Sequence, residues 1–211
     1  LVRAGRPAPE KYTEGAVDYR RLLARDDLDA VVIATPWDSH AAMAVDTMRA
    51  GKYAGVEVPA ALTVDECWSL VNTSAETGVP CMMLENWSFR RDNLALLQMR
   101  RAGLFGHPVH AHCAYAHDCV EWLCTPDGKQ SWRGAFLESR NCDQYPTHSL
   151  GPVLSWLDIG CGDMFASLTA TSTGAFGINA HFARKHGPDH PSATRKILQG
   201  DVVTTVIRTH G

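Results

Sequence analysis

The eight residues from Asn141 to His148 (Asn-Cys-Asp-Gln-Tyr-Pro-Thr-His) form the densest run of groups in this 211-residue chain that could move a proton or hold a polar ligand. Proline is at home in the first turn of a helix, so the run reads as a loop entering a helix, with Tyr145 and His148 three apart on one face. An imidazole changes charge near neutral pH and a phenol can hold or pass a proton, which suits the pair to general acid–base work. Packing or capping explains one such residue alone; the whole cluster is better explained by function. A second pair, Tyr115 and His117, falls on one side of a strand because strand side chains alternate. It lines a pocket or occupies a half-exposed sheet edge, and spacing alone does not choose. His107, His110 and His112 have no cysteine or carboxylate pattern to complete a metal site and are expected to face solvent.

Thr35-Pro36-Trp37-Asp38-Ser39-His40 suggests a different kind of site. It ends a short apolar run, Leu28 to Thr35, rich in β-branched residues, as expected of a parallel strand covered on both faces. Ligands of open α/β sheets bind just beyond the carboxyl ends of such strands. Pro36 and Ser39 are explained as the start of a helix. Trp37 and His40 are less easily explained that way and suit stacking on a nucleotide. Glu57-Val58-Pro59 and Glu85-Asn86 follow the next two strands at the same edge, and three polar strand ends beside one crevice favour a cofactor.

The elements that must position these groups fall into two sets. From Arg20 to Asn86, strand and helix alternate: a strand at 28–35, a helix capped by Asp38 or Ser39 with Ala41, Ala44, Val45 and Met48 inward and Gly51 ending it, and a strand at 53–58. Next come a helix opened by the capping box Thr63-Val64-Asp65-Glu66 with Val64, Trp68, Val71 and Ala75 inward, and a strand at 81–86. This is the second half of a doubly wound, Rossmann-type parallel sheet. The phosphate-binding G-x-G-x-x-G of the first half is not among these residues; Gly160-Cys161-Gly162 follows a helix and reads as a helix C-cap with a turn. We therefore expect a partial NAD-binding domain at 1–87. A partial α+β open-sheet substrate domain is expected at 88–211, with the chain truncated at both ends. In that second part we expect a helix at 91–102, a strand at 107–117 and a long functional loop from Cys119 to Asp143 that includes Pro126-Asp127-Gly128. A helix capped by Thr147 and strands at 165–173 and 201–209 complete it.

Composition sets the bounds. An apolar share of 45% supports a substantial core, and a net charge of −3 without a basic run argues against nucleic acid or an anionic membrane as partner. A small neutral ligand fits better. No apolar stretch is long enough to span a bilayer, and the start Leu1-Val2-Arg3 is neither a signal peptide nor a methionine start. Seven cysteines without C-x-x-C indicate neither a disulfide framework nor a zinc knuckle.

With these residues assembled, the chain resembles the glucose–fructose and inositol-type (Gfo/Idh/MocA-like) oxidoreductases, which join a dinucleotide-binding domain to an open-sheet sugar domain. Most of them carry Glu-Lys-Pro where this chain has Glu57-Val58-Pro59, so the usual catalytic lysine is missing. That departure is similar to the NAD-dependent α-N-acetylgalactosaminidases of glycoside hydrolase family 109. The likeness extends to Ala34-Thr35-Pro36-Trp37, Gly55-Val56-Glu57-Val58, Leu84-Glu85-Asn86, Tyr115-Ala116-His117-Asp118, Trp132-Arg133 and, most specifically, Tyr145-Pro146-Thr147-His148. The resemblance implies NAD contacts at Trp37, Asp38, Ser39, His40, Glu57, Val58 and Asn86. It implies sugar contacts at Tyr115, Arg133, Tyr145, Pro146, Thr147 and His148. Among these, His148 is the leading acid/base, with Tyr145 or Tyr115 as the second proton-transfer group and Arg133 positioning the sugar.

The implied reaction oxidises C3 of the sugar by hydride transfer to NAD, eliminates the aglycone across C1 and C2, adds water and returns the hydride, an exception to the two-carboxylate scheme. The implied substrate is a glycan ending in N-acetylgalactosamine, the implied location periplasmic or secreted, with the cytoplasm as the alternative. The exposed face of the second domain's sheet is where a second subunit would sit. Three other readings stand beside this one: a sugar dehydrogenase of the same superfamily using NAD or NADP, a glycosidase with a carboxylate pair drawn from Asp118, Glu121, Glu138 or Asp143, and a noncatalytic sugar-binding or assembly module.

Overall fold

A computed structural model describes residues 5, 7–125 and 128–211, divided into two compact units, Leu1–Leu84 and Glu85–Gly211. Pro126 and Asp127, part of the expected loop, lie outside the described residues.

The first unit contains α1 (Tyr19–Leu23), β1 (Ala30–Ile33), α2 (His40–Arg49), β2 (Tyr53–Val56), α3 (Val64–Thr77) and β3 (Cys81–Met83). The three strands are parallel in the order β1-β2-β3, Val56 pairing with Ile33 on one side and Met83 on the other. Its core is Ile33, Ala44, Met48, Ala54 and Val56, with Leu70, Val79 and Cys81 packed against it. Helix α2 turns Ala41, Ala44 and Met48 inward, as their spacing requires, and Gly51 follows at φ +74°, a left-handed turn that glycine adopts without strain.

Two expectations for this unit need correction. Ser39 stands before α2 without capping it: its hydroxyl bonds the Pro36 carbonyl at 2.7 Å, and the helix is entered through a 3-10 turn at Trp37–Ser39. The capping box at Thr63 and Glu66 forms, yet Val64, Trp68 and Val71 are 71%, 61% and 58% exposed and Ala75 is exposed too. The helical period is right and the phase is wrong. Caps fix where a helix starts and stops, whereas its inward face is the one that packs on the rest of the unit; here Thr73 is buried and Leu70 packs against the core, with α3 lying against α2.

The second unit contains α4 (Arg91–Arg101), α5 (Trp132–Ser139), α6 (Pro146–Trp156), β4 (Phe165–Ser172), α7 (Gly177–His186), α8 (Pro191–Thr194) and β5 (Val203–Thr209). β4 and β5 pair antiparallel, from Phe165 opposite Thr209 to Ser172 opposite Val203, close to the expected limits. The expected strand at 107–117 does not form. A strand needs a neighbouring ladder, none lies beside this segment among the described residues, and Val109 is 92% exposed. The expected loop at 119–143 holds a helix, α5, whose N-terminus Ser131 caps by accepting from Gly134 N at 3.2 Å. Thr147 does not cap α6; Tyr145 is the cap residue and Pro146 fills the first helical position. No helix among the described residues is long and apolar enough to cross a membrane.

Candidate active site

The centre of the second unit's polar cluster is a buried pair. His148 Nδ1 lies 2.9 Å from Glu85 Oε2 and 3.1 Å from Oε1, with the two residues 9% and 7% exposed. A carboxylate only accepts hydrogen bonds, so Nδ1 carries the proton and Nε2 is left as the basic nitrogen. Glu85 is held in turn by Trp87 N, which donates to Oε1 at 2.6 Å. Gly151 of α6 makes room for it: a Cβ there would stand 2.9 Å from Glu85 Cγ and 2.7 Å from Ser88 Oγ.

Aromatic rings enclose His148. Tyr145 stacks on it at 5.3 Å and 8°, Tyr115 lies at 4.9 Å and Trp87 at 5.5 Å. Arg133, on the first turn of α5, donates from a guanidinium nitrogen to the Tyr145 oxygen at 2.8 Å, so the helix missed in the sequence carries one of the implied sugar residues into place. The Tyr115 hydroxyl lies 2.9 Å from His117 Nδ1, so the two side chains meet although the strand expected to carry them does not form. Burial, and then the neighbouring Cys119 and Tyr145, push the Tyr115 phenol above its ordinary pKa, so it stands in this site as a neutral hydrogen-bond donor at physiological pH. Burial likewise raises the Cys119 thiol and the Asp143 carboxyl. Thr147 completes the string with a buried hydroxyl that has no hydrogen-bond partner among the described residues.

The structure thus brings Tyr115, Arg133, Tyr145 and His148 together, with Pro146 and Thr147 on the same helical turn. Three contributors were not among the site residues implied from the sequence: Glu85, Trp87 and His117, the last weighed only as the partner of Tyr115. Glu85 was visible only as a polar residue at a strand end. The signal that could have singled it out is a charged side chain closing the apolar run Cys81-Met82-Met83-Leu84, and it is buried. Of the carboxylates a paired mechanism would need, Glu121 is engaged by Lys185 and His181, Arg195 Nε lies 3.0 Å from Glu138, and Asp118 accepts from Val120 N.

In the first unit the residues after β1 and β2 occupy the carboxyl edge of the parallel sheet. Trp37 and Val58 are buried there, while Asp38 and Glu57 are exposed. His40 is 1% exposed, and its ring nitrogens face two backbone carbonyls, Thr35 O at 2.7 Å and Pro59 O at 2.8 Å. Its side chain therefore ties the two post-strand segments to each other. The exposed carboxylates at this edge are acceptors of the type that ribose hydroxyls donate to, so the residues present fit a dinucleotide. Asn86 belongs to the second unit, exposed at the start of a 3-10 turn, Trp87–Phe89.

Residues 4–85 match the oxidoreductase family's NAD-binding Rossmann fold, and residues 89–211 match the glycosyl hydrolase 109 C-terminal domain. Glycosyl hydrolase family 109 protein 1 of Shewanella sp. (strain ANA-3) is 44% identical over 210 residues, 99% of this chain and 46% of that protein. The Shewanella oneidensis protein named alpha-N-acetylgalactosaminidase is 44% identical over 211 residues with the same coverage. The chain spans about half the length of these curated relatives. In fold it is similar to an oxidoreductase domain protein from Kribbella flavida, with a TM-score of 0.68 at 23% identity over 92% of this chain and 48% of that one. Because the family 109 domain takes in more than half of the chain and contains Tyr115, Arg133 and the Tyr145–His148 turn, the protein belongs to glycosyl hydrolase family 109.

Proposed function

We propose that the complete protein hydrolyses α-N-acetylgalactosaminides with NAD as a resident cofactor, and that this chain carries its proton-transfer machinery. The observation that carries the reading is the enclosed Glu85–His148 pair stacked on Tyr145: an oriented base, in a family 109 chain, ringed by groups that suit a sugar. The chemistry that NAD supplies when bound is reversible removal of hydride from C3 of the sugar, which leaves the hydrogen on C2 acidic enough for a side-chain base. Nε2 of His148 takes that proton, and Glu85 holds the ring in the tautomer that can do so. Tyr145, fixed by Arg133, and neutral Tyr115 bind the sugar's oxygens and steady the aglycone as it leaves. The Thr147 hydroxyl, without a partner among the described residues, supports the same reading, since a sugar hydroxyl would satisfy it. From the first unit, Asp38 and Glu57 would accept from ribose hydroxyls, with Trp37, Ser39, His40 and Val58 shaping the edge around them; Asn86 is the contact we assign in the second. N-acetylgalactosamine as the recognised sugar follows the name of the Shewanella oneidensis relative.

The test is to cleave an aryl α-N-acetylgalactosaminide with the full-length protein in deuterated water and examine C2 of the released sugar by mass spectrometry and NMR. Deuterium at C2 is the expected result. Release of sugar without deuterium, together with full activity of His148→Ala, would overturn the reading.

A further inference from the structure

Five side chains of the second unit make a closed circuit of contacts. Tyr115 bonds His117, the His117 ring meets the Trp122 indole edge-to-face at 5.5 Å, and the Arg133 guanidinium lies 5.4 Å from the centre of that indole. Arg133 bonds the Tyr145 oxygen, and the Tyr145 ring lies 5.6 Å from Tyr115. Four members of this rim approach His148 or steady one that does. Trp122 is the fifth, on the far side of the circuit, and it is 52% exposed.

An exposed indole normally lacks a fixed place, but this one has one. Its carbonyl accepts from the Ser131 hydroxyl at 2.6 Å, its backbone nitrogen donates to Cys119 O at 2.9 Å, and Asp118 accepts from Val120 N at the start of the same 3-10 turn. A cation over the ring adds a further restraint. The result is a rigid apolar plate at the rim of a polar pocket, the arrangement that binds the C–H face of a pyranose while hydroxyls bond elsewhere.

We propose that Trp122 forms an aglycone subsite, stacking against the sugar ring on the far side of the bond to be cleaved. The proposal rests on the glycosidase reading for what the ring belongs to, and it assigns the protein to glycans longer than one residue. A saccharide on this plate extends the substrate outward from His148 and adds binding that a simple glycoside cannot use.

The experiment uses the full-length protein and two substrates, methyl α-N-acetylgalactosaminide and a trisaccharide ending in α-linked N-acetylgalactosamine. Trp122→Ala is expected to lower kcat/KM for the trisaccharide roughly tenfold through KM, to leave the methyl glycoside unchanged, and to be largely rescued in Trp122→Phe. Calorimetric binding of the trisaccharide is expected to weaken by a similar factor in Trp122→Ala. An equal effect on both substrates, or on neither, overturns the subsite. If the wild-type protein cleaves neither substrate, the glycosidase reading fails, and calorimetry decides the subsite alone: no binding, or binding indifferent to Trp122→Ala, overturns it. A collapse in melting temperature for Trp122→Ala, with no substrate selectivity in Trp122→Phe, shows that the indole is covered in the whole protein and also overturns it.

Discussion

Glu85 Oε2 stands 2.9 Å from His148 Nδ1 across 63 residues of sequence, with the two side chains 8% and 10% exposed. Little solvent competes for the pair, so the contact fixes both the orientation of the imidazole and the nitrogen that carries its proton. The histidine identified by its spacing is thus a usable base because of a carboxylate contributed by a distant turn.

Glu85→Gln tests that dependence. An amide can offer His148 either a donor or an acceptor, so it no longer enforces one tautomer, although its shape is kept. Turnover by the full-length protein is expected to fall by roughly 10²–10⁴-fold, with the nitrogen chemical shifts of His148 reporting a mixed tautomer. Turnover within a factor of two of wild type would show that Glu85 does not position the base.

Gly151→Ala separates helix propensity from packing. In an unhindered helix interior the change gains up to about 1 kcal/mol. Here the new methyl would meet Ser88 Oγ at 2.7 Å and Glu85 Cγ at 2.9 Å, so the collision wins and we expect a net loss of about 1–3 kcal/mol. Urea unfolding of the purified protein measures it, and a variant as stable as wild type would mean that α6 and Glu85 are less closely packed than described.

His40→Ala addresses the cofactor edge. Either neutral tautomer of the ring donates to one of its two carbonyls and the imidazolium donates to both, so alanine strands at least one buried acceptor, at a cost of about 1–3 kcal/mol. The segments after β1 and β2 lose their tie. NAD affinity of the full-length protein, read by calorimetry, is expected to drop along with the unfolding midpoint. Unchanged affinity in a destabilised protein would confine His40 to a structural role.

What the sequence revealed and concealed follows from the range of the interactions. The parallel strands and α2 were legible because β-branched runs, Gly51 and the Thr63 capping box are local signals that the structure obeys. The phase of α3 was not, because Val64, Trp68 and Val71 form as good a stripe as Leu70 and Thr73, and only packing against α2 and the core decides between them. A strand at 107–117 was read from alternation, which describes a side-chain pattern and says nothing about whether a partner lies alongside. Tyr145 and His148 could be found from spacing three residues long. Glu85 could not, since it joins the site through a contact that spans 63 residues.

The pH dependence of stability isolates Tyr115. Burial disfavours its phenolate, so its pKa in the folded protein lies above the ordinary 10.0. A raised folded-state pKa means the folded form holds the proton more tightly than the unfolded chain. The stabilising contribution is therefore whole below pH 10.0 and is lost as pH climbs through the folded value. Tyr115→Phe removes the titrating group and should flatten this part of the decline. Tyr19 is also raised, by burial and Asp46, but it remains in both proteins and cancels in the difference. Urea unfolding at several pH values from about 8 to 11 gives the two curves. Parallel curves would mean that the phenol meets as much water folded as unfolded, and the neutral-donor role assigned to Tyr115 would fall with that result.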